Sequence, residues 1–386
     1  MGTPGVLSGT IQPYAWGSRD ALPRIMGVPP TGGPQAELWL GAHRRGPSLL
    51  RRGSVARPLD QVIADDPIAE LGADAFRAFG GELPFLLKIL AVDRPLSLQT
   101  HPNRSQAQAG FDSEEEQGIP LDAGHRSFRD RNHKPELICA LEPFTAFCGL
   151  RRPESTAALF ESLNVAALGP AVSLMQAGDI ASALRWLLER TPESAAAIAH
   201  QVADACERAG PFPNERHWGV QIGEQYPGDI GVAIALMLNL VHLQPGQALF
   251  LEAGNLHVYL RGVAVEIMAN SDNVLRGGLT EKHVDVAALL DAVDCRPHDV
   301  LVQSPTGSCF EFQSPIPDFS LARVELTGAK RFTPSGPEIV MCASGRVRVA
   351  GHDISGGGAD WPPATAGALE MTGSGLVFRA ATKVGG

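Results

Sequence analysis

The spacing of apolar and polar positions changes character twice along the chain. Up to about residue 150 it reads mainly as strands and turns. PFLLKILAV (84–92) is a short apolar run bounded by Pro84 and by Asp93-Arg94-Pro95, which predicts a buried strand. LSLQTHP (96–102) alternates and predicts another. The stretch 104–132 is polar and acidic, with Glu114-Glu115-Glu116, and reads as a solvated loop. From 151 the pattern becomes alanine-rich, with leucines and valines three and four apart, which predicts amphipathic helices. Thr191-Pro192-Glu193-Ser194 marks a break and a new helix start. After the polar loop PFPNERHWGVQIGEQYPGD, IGVAIALMLNLV (230–241) reads as one more apolar helix. Short strands then return in GQALFLEAG (246–254), LHVYL (256–260) and VAVEIMA (263–269). Closely spaced strands continue from about 301, in the manner of a sandwich or jelly roll. The expected organisation is a β-domain from 1–150 and 242–300, interrupted by helices at 151–241, and a second β-domain at 301–386.

Composition fits several domains, since 386 residues exceed what one core usually holds. The 42 glycines and 30 prolines exceed the average share of about 12%, so turns are many and long helices few. A net charge of −10 argues against a nucleic-acid face but leaves room for a local positive pocket. No apolar run reaches membrane-spanning length, and the start lacks the pattern of a secretion signal. Six scattered cysteines without a CxxC pair suit a cytoplasmic protein with reduced thiols. Any metal site must therefore use histidine and oxygen ligands.

Gln99 and His101 lie two apart in a strand and share a face, as do Lys134 and Glu136, where Pro135 favours an extended backbone. Asn255, His257 and Tyr259 form a third one-sided set. Two histidines, a carboxylate and an amide oxygen suit a divalent metal such as zinc. Hydrogen-bonded structural histidines would give the same spacing. Lys88, within an apolar run, is an edge-strand lysine, one that snorkels, or a cation facing a pocket. Glu266 poses the same question with opposite sign. Arg276 and Lys282 lie in a glycine-bearing loop that is either ordinary surface or a grip on an anionic substrate.

The segments QPYAWGS (12–18), ELWLGAH (37–43), PFLLKILAVDRPLSLQTHP (84–102), NHKPELICALEPFTAFCGLR (132–151), LNLVHLQPGQALFLEAGNLHVYL (238–260) and EIMANSDNVLRGGLTEKHVD (266–285) resemble, in order, those of the class I mannose-6-phosphate isomerases. The combination of LSLQTHP, HKPE and SDNVLRGGLT is highly specific. The resemblance implies a mainly β, cupin-like jelly-roll catalytic domain with an inserted helical domain and a C-terminal β-domain. It implies one Zn2+ per chain, held by Gln99, His101, Glu136 and His257. The implied reaction interconverts mannose 6-phosphate and fructose 6-phosphate by proton transfer between C1 and C2 through a cis-enediol. Arg276 would stabilise the enediolate or the phosphate, and Lys134 and Lys282 would bind the anion. Ser97, Lys88 and Tyr259 complete the substrate-binding set. Glu266 is the leading proton-transfer group, with His133, Lys134 and water on the metal as rivals. Asn103, Glu281 and Gly254-Asn255-Leu256 depart from the family pattern without removing a ligand. Two other readings stay open, an isomerase of another phosphorylated aldose and an inactive cupin-like sugar-phosphate binder. No GxGxxG or GxxxxGK loop suggests a nucleotide. The chain is expected to be a monomer with a small sugar phosphate as its partner. Its few cations, Lys88, Lys134, Arg276 and Lys282, are expected to converge around one metal.

Overall fold

A computed structural model describes residues 3–384 and is mainly β, with two antiparallel sheets and an inserted set of helices. The strand Phe85–Val92 lies inside the ten-stranded sheet, paired on one side with Glu37–Leu40 and on the other with His257–Ala269. Its alternate residues divide between two interiors. Phe85, Leu87, Ile89 and Ala91 pack toward the second sheet, against residues such as Phe312, Phe319, Met341 and Trp361. Leu90 and Val92 turn inward with Phe144, Tyr259 and Ala264. This is a cupin-like jelly roll, with one sheet face backing a second β-layer and the other closing on the site.

The nine-stranded sheet contains the strands from Cys309–Phe312 to Leu369–Ala381, but also takes in three from the start of the chain. Gly5–Ser8 pairs with Ala359–Trp361, and Leu49–Arg52 bridges Gly5–Ser8 and Val55–Pro58. Sheet membership therefore crosses the segment boundaries seen along the chain.

Two local expectations are corrected. The acidic stretch does not form a loop throughout, because Arg104–Glu116 is a helix. Asn103 begins it with a capping box, its side chain accepting from Gln106 N while Gln106 Oε1 accepts from Asn103 N. Glu114 is buried beneath Ser127 and Phe128, accepting both backbone N–H groups at 2.8 Å, with Arg126 Nε 3.4 Å away. We expect Glu114→Ala to lower unfolding free energy by about 2 kcal/mol in urea titrations, since two buried donors lose a charged acceptor. An unchanged midpoint would contradict this.

The second correction concerns 230–241. Only Gly231–Ala235 is helical, and Leu238–Leu243 is a strand paired with Phe144–Leu150. A continuous apolar run does not distinguish a buried helix from a buried strand, and the open edge of Phe144–Leu150 decides it. The helix Pro192–Cys206 does start where the Thr-Pro signal predicts, with Thr191 Oγ1 accepting from Ser194 N. The helices share one core with Leu98, Leu256, Leu275 and Leu279 of the jelly roll. Among the described residues no helix is long and apolar enough to cross a membrane, and the six cysteines are free.

Candidate metal centre and anion site

Three strands bring the predicted ligands together. His257 opens the long strand His257–Ala269 opposite Gln99, and Gln99 is in turn opposite Arg276. Further along, Met268 lies opposite Glu136. Counting by twos would place Glu266 on the face away from His257 and Tyr259. The register shifts between Tyr259 and Arg261, so Leu260 is an extra residue and the parity reverses beyond it. Gly262, at φ 133°, lets the strand pass Pro143, whose oxygen would lie 2.5 Å from any added Cβ. The bulge thus returns Glu266 to the face that carries His257 and Tyr259, beside the Tyr259 hydroxyl.

His101, Glu136 and His257 offer ligand atoms that all lie within 4.8 Å of one another. His101 Nδ1 is 2.7 Å from the Asn273 carbonyl, and His257 Nδ1 is 3.0 Å from the Asn255 carbonyl. A carbonyl only accepts, so each Nδ1 carries hydrogen and each Nε2 is left with a lone pair. Burial, reinforced by Lys134, pushes His101 down to about 4, and burial also lowers His257, so both rings are neutral near pH 7. Burial disfavours the Glu136 carboxylate, yet the Lys134 ammonium outweighs it and holds this carboxyl well below its ordinary range. The two Nε2 atoms approach Glu136 at 3.2 and 3.5 Å, so acceptor faces acceptor. His101 Nε2 is buried without a hydrogen-bond donor. Such converging lone pairs repel one another unless a cation lies between them, so the donor set fits a divalent metal. The Gln99 amide, 3.3 Å from His257 Nε2, reaches the same space.

The remaining predicted residues fall into separate groups. Lys134 Nζ is 3.0 Å from Glu136 Oε1, and Tyr259 OH donates to Glu136 Oε2 at 3.4 Å. Ser97 Oγ donates to Gln99 Oε1 at 3.4 Å. Lys88 is no edge-strand lysine, because its strand is central and its side chain only 8% exposed. Its Nζ lies 3.2 Å from Glu266 and 3.5 Å from Glu37. Burial opposes the charge on Lys88, but Glu37 and Glu266 overcome it and raise its pKa. Burial and the nearby Glu136 raise the Glu266 carboxyl above the ordinary carboxylate range. Glu37, which also accepts from Trp39 Nε1, was missed although it gives the same signal as Lys88, a charge within an apolar strand.

His133 is not brought to the site. Its neighbour Lys134 faces Glu136 two residues on, so His133 points the opposite way, where Nε2 lies 3.0 Å from buried Asp318 and 2.8 Å from Arg104.

The four cations do not form one ring around the metal ligands. Arg276 and Lys282 instead gather with Arg129 and Arg45. Burial lowers the pKa of Arg276, with Arg129 adding to it, and burial followed by Arg276 lowers that of Lys282. Arg45 has Asp272 as partner, but among the described residues neither Arg276 nor Lys282 is paired with a carboxylate. Half-buried Arg276 and exposed Lys282, held beside like charges, are an unbalanced positive field, suited to an anion.

The geometry agrees with three comparisons. Residues 6–153 match the model of the phosphomannose isomerase type I catalytic domain. The mannose-6-phosphate isomerase of Escherichia coli is 38% identical over 354 residues, 88% of each chain. The human mannose-6-phosphate isomerase is 32% identical over 376 residues, covering 85% of this chain and 84% of that one. A crystal structure of the Salmonella typhimurium enzyme, bound to its substrate fructose 6-phosphate and to zinc, superposes with a TM-score of 0.89 at 32% identity. It covers 99% of this chain and all of that one. With identity above 30% along most of the sequence and the same fold throughout, this chain belongs to the mannose-6-phosphate isomerase family of type I phosphomannose isomerases.

Proposed function

We propose that this protein interconverts mannose 6-phosphate and fructose 6-phosphate, with one zinc ion per chain held by Gln99, His101, Glu136 and His257. The observation that carries this reading is the pair of carbonyl-anchored histidines turning Nε2 lone pairs onto a charged Glu136. Held by these residues, zinc would supply Lewis-acid polarisation of the open-chain sugar's carbonyl.

The chain's own groups then account for binding and proton movement. Arg276 and Lys282, without carboxylate partners among the described residues, bind the phosphate, and Ser97 adds a hydroxyl near Gln99. Glu266 takes the proton from C2 of mannose 6-phosphate and returns it to C1. A carboxyl with a raised pKa suits both halves of that transfer. Lys134 gives a proton to the O1 carbonyl as the cis-enediol forms and recovers one from the O2 hydroxyl as it collapses, so the proton count is unchanged. Lys88 and Tyr259 hold the Glu266 side chain in place. Catalysis by such positioned groups is typically worth about 10²–10⁴-fold each.

The deciding experiment is a coupled assay with mannose 6-phosphate, with and without a chelator. We expect turnover that a chelator abolishes and zinc restores, and about one zinc per chain in the purified protein. Binding without isomerisation would favour an inactive sugar-phosphate binder. Faster turnover of another phosphorylated aldose would reassign the substrate.

A further inference from the structure

The helical insertion reaches the anion site through one turn, Tyr226-Pro227-Gly228-Asp229. Tyr226 OH and Gln225 Nε2 donate to the Pro95 carbonyl, two residues before Ser97, at 2.9 and 3.0 Å. Asp229 reaches the other side of the site. Its Oδ1 accepts from Gly231 N at 2.7 Å and its Oδ2 from Thr280 N at 3.2 Å, and Leu279 N is a third backbone donor to it. The peptide it grips is unusual. Leu279 is a non-glycine residue at φ 56°, a left-handed conformation that L side chains disfavour and that persists only when its surroundings enforce it. Leu279 is buried in the core of the helices, and Gly278 leaves no room for a Cβ, which would lie 2.7 Å from Asp229 Oδ1. From Thr280 the hold passes onward, since its Oγ1 accepts from Lys282 N at 3.1 Å. The strained peptide therefore lies between Arg276 and Lys282, neither of which has a carboxylate partner among the described residues.

We propose that Asp229 is a positioning residue: its carboxylate pins the Leu279–Thr280 backbone and so fixes Arg276 and Lys282 at the spacing a sugar phosphate requires. The helical insertion thereby acts as a brace for the anion site. The inference deepens the isomerase reading and rests on it for the identity of the anion. Burial keeps the Asp229 carboxyl costly, raising its pKa despite its backbone donors. A side chain retained at that cost, with no cationic partner among the described residues, is being used for the shape it imposes.

The test is Asp229→Asn, which keeps the size but turns an NH2 toward a backbone N–H, where no hydrogen bond can form. Zinc content and KM and kcat for mannose 6-phosphate are measured for the parent and variant, with fructose 6-phosphate affinity by calorimetry. We expect about tenfold weaker binding and higher KM, a smaller change in kcat and unchanged zinc. In a Lys282→Ala background the same substitution should cost less than in the parent, about threefold, because one of the two groups it positions is gone. Affinity and KM within twofold of the parent overturn the inference, as does an undiminished loss in the Lys282→Ala background. Zinc loss in D229N also overturns it, because the role would then be general folding. A parent that binds fructose 6-phosphate without turnover would sink the isomerase reading, while the calorimetric comparison would still decide the role of Asp229.

Discussion

Replacing His257 with alanine is expected to lower zinc content from about one per chain to below about 0.2 and to reduce kcat/KM at least about a thousandfold. The expectation follows from how this ring is held. Its Nδ1–H is committed to the Asn255 carbonyl, so Nε2 can only present a lone pair, and that lone pair meets Glu136 and Gln99. Removing it leaves the buried Glu136 carboxylate with His101 and Lys134, a set with too few neutral donors for tight zinc binding. His257→Gln keeps a donor of similar reach and should retain more metal than the alanine variant. The fold should survive, because the strand's pairing with Phe144–Leu150 and Phe85–Val92 does not depend on that ring. Metal analysis beside circular dichroism separates the cases. A well-folded, zinc-replete His257→Ala protein would refute the assigned ligand set.

Arg276→Ala should be nearly as damaging to turnover, by about a thousandfold in kcat/KM, while leaving zinc in place. Arg276 makes no hydrogen bond or ion pair with Gln99, His101, Glu136 or His257. Its register partner is Gln99, so it stands at the edge of the centre, with Lys282 and Arg129 as its charged neighbours. An arginine kept half-buried against other cations has unspent binding capacity, which the substrate's phosphate or the developing enediolate would use. Arg276→Lys should recover only part of the loss, because an ammonium lacks the planar two-donor fork. Steady-state kinetics with metal analysis tests this. Near-normal turnover in a folded Arg276→Ala protein would remove the arginine from the mechanism.

The two predictions depend on different kinds of information in the chain. The candidate ligands stand out in the sequence as one-sided sets of extended segments, as Gln99 with His101 and Lys134 with Glu136 do, and the family resemblance chooses among them. The glycine and proline excess likewise announced short strands and tight turns. Chemistry was less legible where charge is cancelled by a partner distant in sequence. Glu114 looks like part of a solvated run, yet backbone donors of Ser127 and Phe128 bury it. His133 looks as available as Lys134 until Asp318, 185 residues away, claims it. Leu238–Leu243 looks helical until an unpaired strand edge is there to receive it.

By itself, then, the sequence determined most element types, the metal-compatible residue set and the presence of cations that an acidic protein must be using locally. These are local properties, set by side-chain chemistry and by the two-residue period of a strand. Only the tertiary structure decided which groups meet. One extra residue, Leu260, reverses the parity of a single strand and carries Glu266 to the face of His257, and no alternation read along the chain predicts that reversal. Only the packing of helices against the jelly roll places Asp229 beneath the Leu279–Thr280 peptide. Long-range hydrogen bonds and burial also separated the cations into a lysine buried among carboxylates and an arginine–lysine pair left open for an anion. The free energy of a charge depends on what surrounds it, and those surroundings come from segments far apart in the chain.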